Sequence, residues 1–262
     1  MIETQDLTVY YGRHRGIEHL DLKVEPGQVY GFLGPNGAGK TTTLRVLLDI
    51  IRPTAGRATV FGLDCQKEGV AIRRRVGYLP GELSLYGQLR ADQFLRLLND
   101  VRGRTADRVE IDGLCQQLGL DPSRTMRTYS RGNKQKVGVV AAFMGRPELL
   151  LLDEPTSGLD PLVQQSVLDL VRAARSEGRT VLFSSHILSE VQEVCDRVGI
   201  IRDGRLAAME RVEDLVRDRL HRLTIRFERM PPEAAFDADG AREIGRRDQT
   251  VTLEVREGLG RI

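Results

Sequence analysis

The sequence predicts an α/β fold: a phosphate-loop core on a mixed to parallel sheet, with N-terminal antiparallel strands, a helical subdomain and a small C-terminal α+β appendage. Three observations lead there. The segment Gly34-Pro35-Asn36-Gly37-Ala38-Gly39-Lys40-Thr41-Thr42 has the spacing of a phosphate-cradling loop, and it lies between apolar Val29–Leu33 and a helical continuation through Leu44, Val46, Leu47 and Leu48. Leu149-Leu150-Leu151-Leu152 is an unbroken apolar run, as a strand covered on both faces requires. At the N-terminus, Leu7, Val9 and Tyr11, then Ile17, Leu20, Leu22 and Val24, alternate around Gly12 and Gly16, which predicts antiparallel strands.

The remaining elements follow in order. After the phosphate loop the pattern predicts a strand near Arg57–Phe61, a helix near Val70–Arg75 and a strand at Val76–Leu79. From about 83 to 144 the periodicity is helical, with Phe94, Leu95, Leu97 and Leu98 on one segment and Val109, Leu114, Leu118 and Leu120 on the next. The leucine run at 149–152 is followed by a helix over Leu162–Ser176, a strand at Thr180–Phe183 and a helix over Ile187–Cys195. Arg202-Asp203-Gly204-Arg205 then closes a hairpin through its Asp-Gly pair. The P-loop NTPase core is expected over 1–210, and the appendage over 211–262 with a helix near Val212–Leu220 and strands at Leu223–Phe227 and Thr250–Val255. The appendage ends at Gly258-Leu259-Gly260-Arg261-Ile262 and reads as incomplete.

Bulk properties narrow the function. The 262 residues suffice for one large domain and a small addition, and the net charge of +2 gives no reason to expect nucleic acid as a partner. Cys65, Cys115 and Cys195 form no close pair, which argues for free thiols in a reducing compartment. No apolar stretch approaches the length of a membrane-spanning helix, and Met1-Ile2-Glu3-Thr4 lacks the basic start of a secretion signal. A cytosolic location is the expectation.

A phosphate loop alone leaves kinases, GTPases and many ATPases open, and later residues narrow the choice. Asp153 stands at the carboxyl end of its strand, where open α/β sheets place ligands, so with the Thr41 hydroxyl it is suited to Mg²⁺. Glu154 follows as a candidate general base, and Pro155 biases its backbone toward an extended conformation. The bland alternative is an acidic pair ending a strand in solvent. Ser130, with Gly132 after it, is the candidate N-cap for the helix carrying Val137, Val140, Ala141 and Met144; by itself this is an ordinary capped helix.

Taken together, Gly34 to Thr42, Tyr129-Ser130-Arg131-Gly132-Asn133-Lys134-Gln135, Leu149 to Glu154, Ser157-Gly158-Leu159-Asp160 and His186 resemble, in order, the motifs of the ATP-binding cassette family, the nucleotide-binding subunits of ABC transporters. The resemblance covers roughly residues 1–210. It implies ATP and Mg²⁺ as cofactors and a homo- or heterodimer whose sites combine one subunit's phosphate loop with the other's Ser130 and Gly132. It further implies that Tyr11 stacks on adenine, that Lys40 holds the phosphates, that Glu154 activates water beside His186, and that Asp160 takes part through its loop. Separate integral membrane subunits would dock near Gly81–Leu98, placing the chain peripherally on the cytoplasmic face of the cell membrane.

Gly31-Phe32-Leu33 and the Arg-Gly-Asn signature are similar to export-type cassettes of the ABC-2 and drug-efflux branch. Two departures stand out. Tyr129, Arg131 and Asn133 replace the commoner Leu, Gly and Gln, and Gly81 occupies the position where the family usually has a metal-sensing Gln, with Glu82 beside it as a candidate substitute. The competing expectation is a soluble cassette ATPase that acts as an assembly or clamp factor, and a third is a nucleotide-gated module with negligible turnover.

Overall fold

The computed structural model describes residues 1–217, 220–228, 231–232 and 241–256. Two compact units divide the chain, Met1–Met209 and Glu210–Ile262.

The first unit opens with strands β1 (Ile2–Tyr11), β2 (His14–Leu20), β3 (Lys23–Val24) and β4 (Val29–Leu33), followed by helix α1 (Lys40–Leu47). Next come β5 (Ala55–Val60), β6 (Leu63–Asp64), α2 (Gly69–Arg73) and β7 (Val76–Leu79), then three helices, α3 (Ala91–Val101), α4 (Arg108–Gln117) and α5 (Arg131–Phe143). The chain returns to the sheet with β8 (Leu149–Asp153), α6 (Pro161–Ser176), β9 (Thr180–Ser185), α7 (Leu188–Val194), β10 (Arg197–Arg202) and β11 (Arg205–Arg211).

Two sheets result. The N-terminal strands form one in the order β2-β1-β5-β6 with β3 also on β1, and the pairings are antiparallel. The larger sheet has the order β11-β10-β4-β9-β8-β7, parallel from β10 to β7. Leu149 to Leu152 are fully buried because helices cover both faces of that sheet. Burial at about 1.5–3 kcal/mol per such side chain makes this strand a principal anchor of the fold. β4, β9 and β8 are adjacent, which brings the residues following all three strands to one edge.

The helical segment differs from its sequence pattern at the start. Residues 83–90 form no helix; their backbone instead pairs with 124–127, through Met126 N–H to Leu89 O at 2.9 Å and Arg127 N–H to Gly87 O at 3.0 Å. Val109 and Leu97, part of the apolar pattern, are exposed, whereas Phe94, Leu95, Ile111 and Cys115 make the inner face. Side-chain oxygens cap three helices: Ser130 for α5, as its sequence suggests, and also Asp107 for α4 and Asp160 for α6.

The second unit contains α8 (Val212–Arg217) and strands β12 (Leu220–Arg226), β13 (Ala241–Arg247) and β14 (Thr250–Arg256), an antiparallel sheet in the order β12-β14-β13. Val251 and Leu253 are its buried face. β13 is a strand the sequence does not announce, because Ala-Arg-Glu-Ile-Gly-Arg-Arg has no apolar alternation and its one large apolar side chain, Ile244, is 41% exposed. Gly258–Ile262 lie outside the described residues.

Candidate active site

The turn from β4 into α1 is dictated by its glycines. Gly39 has φ +110°, and a Cβ there would stand 2.5 Å from Ile17 Cγ2 and 2.8 Å from Gly16 O, so any side chain is excluded on two grounds. The loop therefore presents bare backbone at the start of α1, where unsatisfied N–H groups and the helix dipole favour anions. Lys40, the first residue of α1, is 5% exposed, and its Nζ donates to Gly34 O at 2.6 Å and to Pro35 O at 3.1 Å.

A cavity of roughly 300 Å³ opens beside this loop, lined by Tyr11, Arg15, Gly16, Asn36, Gly37, Gly39, Lys40, Thr41, Thr42, Asp153 and Glu154. Thr41 and Asp153, 112 residues apart in sequence, meet here: Thr41 Oγ1 donates to Asp153 Oδ2 at 2.6 Å, and Ser184 Oγ donates to Oδ1 at 2.6 Å. Asp153 is fully buried, so its carboxylate depends on these two bonds.

Glu154 extends further. Its Oε2 meets His186 Nδ1 at 2.5 Å; since a carboxylate only accepts, Nδ1 carries the proton. Lys40 Nζ lies 3.2 Å from Oε1, yet that oxygen is buried and makes no hydrogen bond. Oε1 is thus held by the charge of Lys40 alone, and its lone pairs stay open to a hydrogen-bond donor. The backbone of Glu154 is not extended as Pro155 suggests. Its φ is +51°, held by Glu154 N–H donating to Ser184 O and Oγ and by Gln135 Nε2 donating to the carbonyls of Glu154 and Pro155, all at 3.2 Å. Tertiary bonds override the local bias at a strained position, as happens at functional sites.

Tyr11 is 47% exposed at the cavity mouth, with its hydroxyl 3.3 Å from Thr42 Oγ1. Gly34, Pro35 and Ala38 shape the loop beneath: Ala38 N–H donates to Pro35 O at 3.2 Å. Ser130, Gly132 and Asp160 are not among the residues lining this cavity; Ser130 is exposed and Gly132 half-buried. Arg131, where the commoner signature has glycine, donates from Nη2 to Ser157 Oγ at 3.2 Å. Glu82 is exposed and does not line the cavity, whereas Gly81 faces Asp153 directly. Arg15 and Gly16 line the site without having been singled out by sequence, because both lie in what reads as a turn between strands.

The profile of the ABC transporter family matches residues 17–157. The chain belongs to that family. It is 40% identical over 209 residues to the bacitracin transport ATP-binding protein BcrA of Bacillus licheniformis, covering 79% of this chain and 68% of that protein. It is 39% identical over 213 residues to the daunorubicin/doxorubicin resistance ATP-binding protein DrrA of Streptomyces peucetius, covering 79% of this chain and 64% of that one. The chain thus spans about two thirds of each relative's length. A solved ATP-binding subunit of an ABC transporter superposes with a TM-score of 0.75 at 30% identity, over 83% of this chain and 92% of that one. As an ABC ATPase the chain binds ATP, and the cavity over the glycine loop suits a triphosphate in its anion-seeking amides and its lysine.

Proposed function

We propose that this chain is the ATP-hydrolysing subunit of an ABC transporter, working as a dimer on the cytoplasmic face of the membrane and driving export through separate integral membrane subunits. The observation that carries the proposal is the convergence of Lys40, Thr41, Asp153 and Glu154 on one cavity, with a Glu154 oxygen that is ion-paired to Lys40 and accepts no hydrogen bond. Kinship to relatives named for bacitracin transport and for daunorubicin and doxorubicin resistance supports the export assignment. Among the described residues no helix is long and apolar enough to cross a membrane.

The donor set fits Mg²⁺. Thr41 and Asp153 supply hard oxygens, and among the described residues no cluster of three His, Cys, Asp or Glu could hold a metal alone, which matches an ion shared with substrate phosphates. When bound, Mg²⁺ neutralises charge developing on the transferred phosphoryl group. Lys40 exchanges the carbonyls of Gly34 and Pro35 for the β and γ phosphate oxygens, while amides from Gly37 to Thr42 hold the remainder. Tyr11 stacks on the adenine. Glu154 takes the proton of the attacking water at Oε1, and His186 orients it through Oε2. Exposed Ser130 and Gly132, two residues on at the start of α5, close over the partner's triphosphate together with the Asp160 loop, and hydrolysis releases the closure.

The test is turnover of the full chain alone and with its co-purified membrane protein. Stimulated hydrolysis, and a loss on the order of 10²–10⁴ in rate for Glu154→Gln with ATP binding retained, support the assignment. Undiminished turnover in that variant removes Glu154 from its role, and a partner set free of integral membrane proteins removes the transporter.

A further inference from the structure

Glu190 lies on α7 and is only 7% exposed. A glutamate on a peripheral helix ordinarily turns to solvent, because a buried carboxylate must be compensated. Here both oxygens are occupied by hydroxyl donors: Thr156 Oγ1 to Oε1 at 2.7 Å and Ser185 Oγ to Oε2 at 2.6 Å. Ser185 Oγ also accepts the Ile187 N–H at 3.0 Å.

The two tethered residues are next to the proposed chemistry. Thr156 is two residues beyond Glu154, and Ser185 directly precedes His186. The β8–β9 ladder ends with Asp153 opposite Ser184, after which Glu154 N–H still reaches Ser184 O at 3.2 Å. Past that point the two loops are joined through the Glu190 carboxylate. Its helix is in turn fixed to α6, where Gln165 Nε2 donates to Glu193 Oε1 at 3.0 Å and Arg172 Nη2 at 2.5 Å.

We infer that Glu190 is a positioning residue for hydrolysis: by tying Thr156 to Ser185 it sets the spacing between Glu154 and His186. Short bonds to a buried charge are about twice as strong as neutral ones, so this tether resists the relaxation that a positive-φ residue such as Glu154 invites. The inference rests on the assignment of Glu154 and His186 to hydrolysis.

Steady-state ATPase measurements on the full chain test it. Thr156→Val removes one hydroxyl at nearly constant volume, and Glu190→Gln removes the charge at constant shape. Each is expected to lower kcat roughly tenfold, the scale of one hydrogen bond to a charged group, while KM for ATP stays within about twofold. The double variant should be no slower than the slower single one, because both changes break one tether. Thr156→Ser, which keeps the hydroxyl, should recover most of the rate. Wild-type kcat in both single variants, losses that multiply, or a KM rising in step with the loss overturns the inference. Glu154→Gln in the same panel separates the two levels: if it turns over normally the hydrolytic assignment fails, and if it is slow while Thr156→Val and Glu190→Gln are not, only the role of Glu190 falls.

Discussion

Gly81 faces Asp153 so closely that a Cβ at residue 81 would stand 3.0 Å from Asp153 Oδ2. That oxygen is the one bound by Thr41, and the carboxylate's other oxygen is held by Ser184, so Asp153 can retreat only by stretching these two bonds. Gly81→Ala should therefore displace the proposed metal ligand by a few tenths of an ångström. The expected result is a several-fold higher Mg²⁺ concentration for half-maximal ATPase, with nucleotide affinity little changed. A Mg²⁺ titration with the wild-type midpoint would show that residue 81 has room to spare.

Tyr11 stands at the cavity mouth with its ring half-exposed, as a platform for a flat base would. Tyr11→Ala should raise the Kd for ATP about tenfold, since stacking of a base on an aromatic ring is worth about 1–3 kcal/mol, and Tyr11→Phe should change it little. Inorganic tripolyphosphate, which has no base, provides the control. If its competition weakens equally in Tyr11→Ala, the ring shapes the phosphate loop instead of holding adenine.

Much of this site was legible in sequence because its chemistry is written in backbone. Glycines at 37 and 39 encode a loop that only they can follow, and an apolar run ending in Asp153 encodes both a strand and a carboxylate at its edge. What was not legible depends on neighbours distant in the chain. The positive φ of Glu154 runs against the bias of the following proline and is imposed by bonds from Ser184 and Gln135. Glu190 reads as a solvated helix residue until Thr156 and Ser185 cover it. β13 escapes notice because its place in the sheet is secured by backbone pairing with β14, not by an apolar pattern.

Burial raises the thiols of Cys65 and Cys115 to about 12 and about 11, from an ordinary value of 9.0. A folded-state pKa above the unfolded value means that the unfolded chain releases its proton first as pH rises. The stability linked to each thiol is therefore complete below about pH 9 and lost progressively toward the folded value, roughly 1 kcal/mol per thiol by about pH 10. Tyr30, which burial pushes up to about 12, adds to the loss above its ordinary 10.0. Thermal melts between about pH 8 and 10.5 should show a falling Tm, with a shallower slope in a Cys65→Ala, Cys115→Ala chain. Parallel slopes in the two proteins would assign the alkaline loss to other groups.

Ser130 has two jobs on this reading, and one substitution separates them. Its hydroxyl accepts the Asn133 N–H at 3.2 Å and so caps α5, while its exposure leaves it open to a partner's triphosphate. Aspartate caps a helix as well as serine does, so Ser130→Asp should leave Tm nearly unchanged, whereas Ser130→Ala should cost about 1 kcal/mol. A carboxylate aimed at the γ-phosphate of the facing subunit is repelled at close range. In a Glu154→Gln chain, where ATP is bound without being consumed, light scattering should therefore report an ATP-dependent dimer that Ser130→Asp abolishes. A dimer that persists would mean that the tip of α5 does not approach the neighbouring nucleotide, and the composite site would have to be built from other residues.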